Sequence, residues 1–241
     1  MKHLKLIGPF KQLVTMANLP LKGALHDEQL EILADVGILI TDGIILKIAN
    51  YDQLVSEAPK TTVFIKLKGD HVGFPGFIDA HTHICFGGTR AKDYAMRNAG
   101  KTYLEIAKAG GGIWDTVTET RQASSEELIK KTIKRAKQHL KNGVTTVEVK
   151  SGYGLSVQEE LKMLRAIKKA NTELALDLIP TCLAAHMKPK DFSGSQTEYL
   201  AEISTRLFPI LKEEKLTNRI DGFIEESAFS REDIRSYFSK A

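Results

Sequence analysis

The chain has 241 residues, 42% hydrophobic and 27% charged, which allows one large or two modest globular domains and excludes a disordered or fibrous protein. Its 34 basic and 30 acidic side chains leave a formal charge of +4, too even a balance to argue for a nucleic-acid partner. Two cysteines, Cys85 and Cys182, no charged-then-apolar leader, and no apolar run near the ~20 residues that span a bilayer predict a cytoplasmic protein without a disulfide framework or membrane anchor.

Residues 1–72 read as β-rich. Val36 to Ile48 holds two β-branched runs joined at Asp42-Gly43, a dipeptide favoured in tight hairpin turns, and Val63 to Leu67 adds a short strand, while Pro20 to Glu31 is polar and irregular. From residue 73 to residue 241, strands and helices alternate, the pattern of a parallel α/β architecture.

The stretch Pro75 to Arg90, PGFIDAHTHICFGGTR, opens that second part. Pro75-Gly76 turns the chain into a strand, Phe77 and Ile78 are strand formers, and Gly87-Gly88 end the run. His81 and His83 are two apart on an extended chain, so they share a face at the strand's C-terminal end, the edge where α/β folds bind ligands. Histidines at this spacing are often surface or core residues, but two imidazoles on one face also make half a metal site. Cys85 has the same parity, yet a thiol there is more often a small core residue than a third ligand.

Lys92 to Ala109 reads as one helix, broken by Gly110-Gly111-Gly112, a run that serves either a close backbone approach or a flexible loop. The densest basic run, Lys130, Lys131, Lys134, Arg135 and Lys137, falls in the next helix and reads as a solvated face. That helix opens with a capping box, Ser124 and Glu127, and stops at Asn142-Gly143. Val144 to Val149 is a buried strand, on which Glu148 and Lys150 share a face and could form an ion pair. Lys150-Ser-Gly-Tyr-Gly154 then presents Tyr153 on a tight turn at the same sheet edge as the histidines, as an aromatic lid or a ligand contact.

A second capping box, Ser156 and Glu159, opens a helix striped by Val157, Leu161, Leu164 and Ile167. The third strand runs from Leu176 toward His186, which either caps a loop or touches a ligand. Leu200, Ile203, Leu207 and Ile210 make another helix, with Pro209 expected to kink its end. Gly222 to Glu225 is the predicted fourth strand, with Ser230 to Phe238 helical after it. The further donors available to a metal are Cys85, His186 and Glu225, none at a spacing that forces the assignment.

PGFIDAHTH resembles the first barrel strand of the amidohydrolase superfamily, whose paired histidines hold a catalytic metal. The resemblance implies the first four βα units of an amidohydrolase-type TIM barrel (73–241) preceded by a small N-terminal β-sandwich-like subdomain (1–72). HTHICFGGTRAKDYAMR, GKTYLEIAKAGGGI, EVKSGYGL and AAH, in that order, are similar to the motifs of one family, the imidazolonepropionases. This implies His81 and His83 as ligands of one Zn or Fe, and Arg90, Tyr153 and His186 at the substrate. Tyr103 and Gly110 to Gly112 match family motifs in roles left open. The implied reaction is hydrolytic ring opening of 4-imidazolone-5-propanoate to N-formimidoyl-L-glutamate by a cytoplasmic homodimer with no nucleic-acid or membrane partner. A Glu acting as general acid/base and the remaining ligands are expected beyond residue 241, so the isolated chain is expected to be inactive.

Two other readings compete with this one. A heterocycle deaminase of the same superfamily shares His81 and His83 but leaves Arg90, Tyr153 and His186 together unexplained. A non-catalytic barrel remnant that binds a partner accounts for the missing ligands.

Overall fold

The computed structural model describes residues 4–225 and 228–241, without the side chains of Tyr103, Ala107 and Lys108. The chain divides into two compact units, Met1–Pro75 and Gly76–Ala241, each taken by itself below.

In the first unit, β1 (Leu4–Val14), β2 (Ile32–Thr41) and β3 (Ile44–Asn50) form an antiparallel meander. Asp42 and Gly43 join β2 to β3 with φ of 48° and 79°, the left-handed pair that a two-residue turn between twisted strands requires. A helix, α1 (Tyr51–Glu57), follows where only β structure was expected. Its start is fixed by the Asn50 side chain, which accepts from the Gln53 amide. β4 (Val63–Lys66) and β5 (Val72–Gly73) add to β1 in parallel, giving one five-stranded sheet. Among the described residues this unit holds a single sheet.

The second unit begins with β6 (Phe77–Thr82). The predicted helix from Lys92 to Ala109 is two, α2 (Ala91–Asn98) and α3 (Tyr103–Lys108), because Gly100 takes a φ of 79° that ends the first. α4 (Ile113–Gln122) follows the glycine run, and α5 (Ser125–Lys141) leads into β7 (Val144–Lys150). Then come α6 (Val157–Asn171), β8 (Asp177–Ala185), α7 (Gln196–Glu213), β9 (Ile220–Gly222) and α8 (Arg231–Lys240). The four strands lie side by side in chain order, β6-β7-β8-β9, all parallel.

Several local expectations need correction. Ser124 and Ser156 do cap α5 and α6 by accepting from Glu127 and Glu159 amides. The two glutamates do not reach back to close capping boxes; they pair instead with Lys131 and Lys162 within their helices. Complete boxes are present at α7 (Ser195, Glu198) and α8 (Ser230, Asp233). Pro209 lies inside α7, which continues to Glu213. The fourth strand is earlier than predicted, and Ile224 makes only an isolated bridge with Phe229.

The strands show the period-2 division of a two-faced sheet. Val147 and Val149 are fully buried in the core with Leu128 and Ala136 of α5, Leu164 and Ile167 of α6, and Leu207 of α7. Glu148 and Lys150 take the opposite, inner face. There the Lys150 ammonium, 5% exposed, donates to Glu148 at 3.1 Å and to Asp221 on β9 at 2.7 Å, and Thr181 of β8 donates to Glu148 at 2.6 Å. The Glu148–Lys150 pair expected from the strand parity is thus one part of a larger network. Burial alone would lower Lys150, but the Asp221 and Glu148 carboxylates outweigh it and hold the ammonium above the ordinary lysine range.

Ile167 is fully buried in the middle of this core. Ile167→Ala is expected to cost about 2–5 kcal/mol in urea unfolding, through lost apolar burial and the cavity left behind.

Candidate functional site

Four rings meet at the C-terminal ends of β6, β7 and β8. His81 is on β6 and His83 one residue beyond its end, with ring centroids 5.3 Å apart. Tyr153, from the loop after β7, lies 5.6 Å from both His83 and His186, and His186, which follows β8, stacks on His83 at 5.5 Å. The structure therefore brings His81, His83, Tyr153 and His186 into one cluster, at the sheet edge where a parallel α/β fold leaves its loops free to shape a site.

Electrostatics and hydrogen bonding distinguish His83, His186 and Tyr153. Burial, assisted by the positive ends of His186, His81 and Lys150, pulls His83 down to about 4, so its imidazole is neutral near pH 7. Its Nδ1 is buried and has no hydrogen-bond partner among the described residues. His186 Nδ1 is 2.9 Å from the Gly152 carbonyl, which can only accept, so Nδ1 carries a proton. Burial pushes the Tyr153 phenol up, opposed by the Arg90 charge, leaving it protonated and able to donate.

Arg90, immediately before α2, is held by its surroundings. Its Nε donates to Asp93 at 2.6 Å and its Nη1 to Thr116 of α4 at 3.2 Å. Asp93 is 8% exposed and also accepts from the Gly112 amide at 2.9 Å. The glycine run is thus packed on Asp93: a Cβ at Gly111 would lie 2.2 Å from a carboxylate oxygen. Arg90, Asp93, Tyr94, Arg97 and Ile106 line a cavity of about 260 Å³. The role expected of Tyr103 lies outside the described side chains.

The loop that carries His83 is fixed from α5. Arg135 donates through Nη1 to the carbonyls of Ile84 and Phe86 at 2.8 and 2.9 Å, and its guanidinium lies 3.5 Å above the Phe86 ring. Phe86 in turn meets Tyr153 edge-on at 6.3 Å. Arg135, read from the sequence as part of a solvated basic face, is the one member of that run turned inward. Asp93 and Thr116 were not singled out in the sequence either, although Arg90 and Asp93 stand at the i, i+3 spacing of a local ion pair.

Two of the additional metal donors suggested by the sequence lie in contrasting surroundings. Cys85 is fully buried, its thiol directed at the Met163 carbonyl at 3.8 Å and pushed up by burial to about 11. Glu225 is exposed, three residues beyond β9 rather than at its end. Among the described residues, no group of three or more His, Cys, Asp or Glu side chains converges to hold a metal. The residues present do fit part of one: the half-buried, neutral His83, whose Nδ1 has no hydrogen-bond partner among the described residues, stands beside His81 as one of a pair of nitrogen donors.

No family profile matches the chain. Curated relatives do. An imidazolonepropionase of Myxococcus xanthus is 46% identical over 178 residues, 74% of this chain and 42% of that protein. One of Acinetobacter baumannii is 39% identical over 217 residues, 90% of this chain and 53% of the relative. A third, of Thermoanaerobacter pseudethanolicus, is 38% identical over 237 residues, 98% and 56% of the two chains. The chain spans about half the length of the curated relatives it matches.

Among solved structures, a triazine hydrolase of Arthrobacter aurescens matches 98% of this chain and 50% of its own with a TM-score of 0.63 at 14% identity. The guanine deaminase of E. coli matches 87% of this chain and 42% of its own with a TM-score of 0.57 at 16% identity. At these identities the likeness carries the fold alone: four parallel strands in chain order, alternating with helices as in part of a parallel α/β barrel. By sequence, the chain is similar to imidazolonepropionases over about half of their length.

Proposed function

We propose that this chain supplies the metal-ligating and substrate-binding half of an imidazolonepropionase, which opens 4-imidazolone-5-propanoate by hydrolysis to N-formimidoyl-L-glutamate. The observation that carries the reading is the convergence of His81, His83, Tyr153 and His186 at one sheet edge, in a chain 38–46% identical to proteins of that name. In the overall change a water oxygen adds to the ring carbonyl carbon, the ring C–N bond breaks, and the leaving nitrogen takes a proton.

His81 and His83 would hold one Zn or Fe, since imidazole suits both. A metal bound there would polarise the carbonyl and make a water nucleophilic at neutral pH. The chain's own residues orient the substrate. Tyr153 donates its phenolic proton toward the substrate, and His186, fixed as the Nδ1–H tautomer, offers Nε2 as acceptor to a ring N–H. Arg90 binds the propionate. Because Asp93 occupies Nε, the side-on fork of the guanidinium is closed, so the carboxylate docks end-on across Nη1 and Nη2, beside the cavity shared with Arg97.

The complete assembly in this reading is an eight-stranded barrel with a β-sandwich whose one layer is the N-terminal sheet, and a cytoplasmic homodimer. Support for the second sandwich layer comes from apolar side chains open on β3 and β4, including Ile45 at 55% and Phe64 at 45% exposure. Free, buried Cys85 and Cys182 agree with a reducing compartment, and among the described residues no helix is long and apolar enough to cross a membrane. A glutamate general acid/base and the ligands that complete the shell would come from residues outside this sequence.

Ring opening, followed as loss of imidazolone absorbance with no ammonia released, tests the reaction. The complete enzyme is expected to show it with about one metal per chain, and the 241 residues alone to show none, because two histidines are too few for a catalytic shell. Ammonia release would move the reading to a deaminase, and a metal-free, inactive complete protein would move it to a non-catalytic remnant. His83→Ala is expected to abolish both bound metal and turnover.

Arg90→Ala in the complete enzyme is expected to raise KM sharply, by the ~1.5–3 kcal/mol of a charged hydrogen bond, with little change in kcat. Asp93→Asn, which loosens Arg90 without removing it, is expected to raise KM by less. An unchanged KM in both variants would reject the clamp.

A further inference from the structure

Glu160 is fully buried on the core face of α6, where a carboxylate is costly unless it is paired or hydrogen-bonded. Among the described residues, no cation forms an ion pair with it. Its Oε1 accepts from the amides of Gly152, Gly154 and Leu155 at 3.2, 2.8 and 2.8 Å, and its Oε2 accepts a second time from Gly152 at 3.1 Å. Burial pushes its carboxyl up, and the Ser151, Leu155, Gly154 and Gly152 donors oppose that shift. Every neighbour in this set donates, which is the complement of an ionised carboxylate, and its place in the first turn of α6 sets it near the positive end of the helix dipole.

The turn so gathered is one the backbone would not hold by itself. Gly152 has a φ of 102° and Leu155, a branched-chain residue, a φ of 52°. There is no slack for another shape: a Cβ on Gly154 would lie 2.5 Å from the Glu160 amide nitrogen, and one on Gly152 would lie 2.8 Å from the Leu183 carbonyl. Tyr153 stands at the apex, against His83 and His186, and the Gly152 carbonyl is the group that accepts from His186 Nδ1.

We propose that Glu160 is the positioning residue of this site: its carboxylate folds the Gly152–Leu155 turn and thereby sets both the Tyr153 phenol and the tautomer of His186. It rests on the proposed function only in taking Tyr153 and His186 to face the substrate. Glu160 touches no reacting atom; it acts through the backbone that it binds.

The test uses isotope-labelled full chain and needs no turnover. Glu160→Gln is nearly isosteric, keeps one acceptor oxygen and turns an amide NH2 toward the donors. In this variant the Gly154 and Leu155 amides are expected to exchange with solvent on the order of tenfold faster or more, while amides in the middle of α6 keep their protection. The His186 ring nitrogens are expected to lose the resolved 15N pattern of a single Nδ1–H tautomer and move toward the averaged one. Glu160→Ala is expected to go further in the same direction if it folds; the glutamine variant decides the matter if it does not. Faster turn exchange with an unchanged His186 tautomer would overturn the proposal and leave Glu160 a structural carboxylate. Unchanged exchange would overturn it as well. Failure of the ring-opening assay would leave both signals in place, so the two readings fall separately.

Discussion

The site depends on a contact between ionic side chains and loop backbone. A loop leaving a parallel strand has no ladder to satisfy its N–H and C=O groups, and when that loop is also buried those groups need partners from elsewhere. Here they come from the helices behind the sheet. Arg135 of α5 takes the Ile84 and Phe86 carbonyls after β6, and Glu160 of α6 takes the amides after β7. Asp93 of α2 holds both Arg90 and the Gly112 amide. Hydrogen bonds to a charged group are worth about 1.5–3 kcal/mol each, more than a neutral pair, so three side chains suffice to give fixed shapes to loops that lack regular structure. The four clustered rings inherit their positions from those shapes.

The inner face of the sheet follows a different rule from the outer one. Toward the helices, Val147 and Val149 contribute ordinary apolar burial; away from them, Lys150, Glu148, Thr181 and Asp221 form one hydrogen-bonded network spanning β7, β8 and β9. Buried ion pairs are weak evidence of added stability, because desolvation offsets most of their attraction. Their geometry is demanding, however, and a one-residue slip of any of the three strands would turn one partner to the wrong face and strand the others. The network therefore acts on register, which in turn aligns the ends from which Tyr153 and His186 depart.

Much of the fold was legible because it is written in local patterns. Strands came from β-branched runs, the Asp42-Gly43 hairpin from its left-handed turn pair, and helix starts from Ser124 and Ser156. The misses share a cause. A helix from Lys92 to Ala109 looked continuous although the left-handed Gly100 divides it, and the reciprocal half of two capping boxes failed because Lys131 and Lys162 were better partners for Glu127 and Glu159. At the site, residues with a distinctive chemistry, His81, His83, Tyr153 and His186, were visible, whereas those that position them were not. Arg135 looked like one of five solvated bases, and Glu160 lay beside a conspicuous cap. A signal existed for the latter: Glu160 falls between Val157 and Leu164 on the apolar stripe, and a carboxylate at a core position of an amphipathic helix asks for a set of donors.

Cys85, which turned out to belong to the core, has a use that its burial creates. With its thiol held in the protonated form near pH 7 and shut away from solvent, it is inert to alkylation for as long as the segment after β6 stays closed. Cys182, in the middle of β8 and pushed up to about 12, is shielded in the same way by a different part of the fold. The two therefore form a natural pair of reporters. A labelling rate at Cys85 that outruns the rate at Cys182 measures opening of the histidine-bearing loop alone, whereas equal rates measure unfolding of the whole unit, and neither measurement needs an engineered probe.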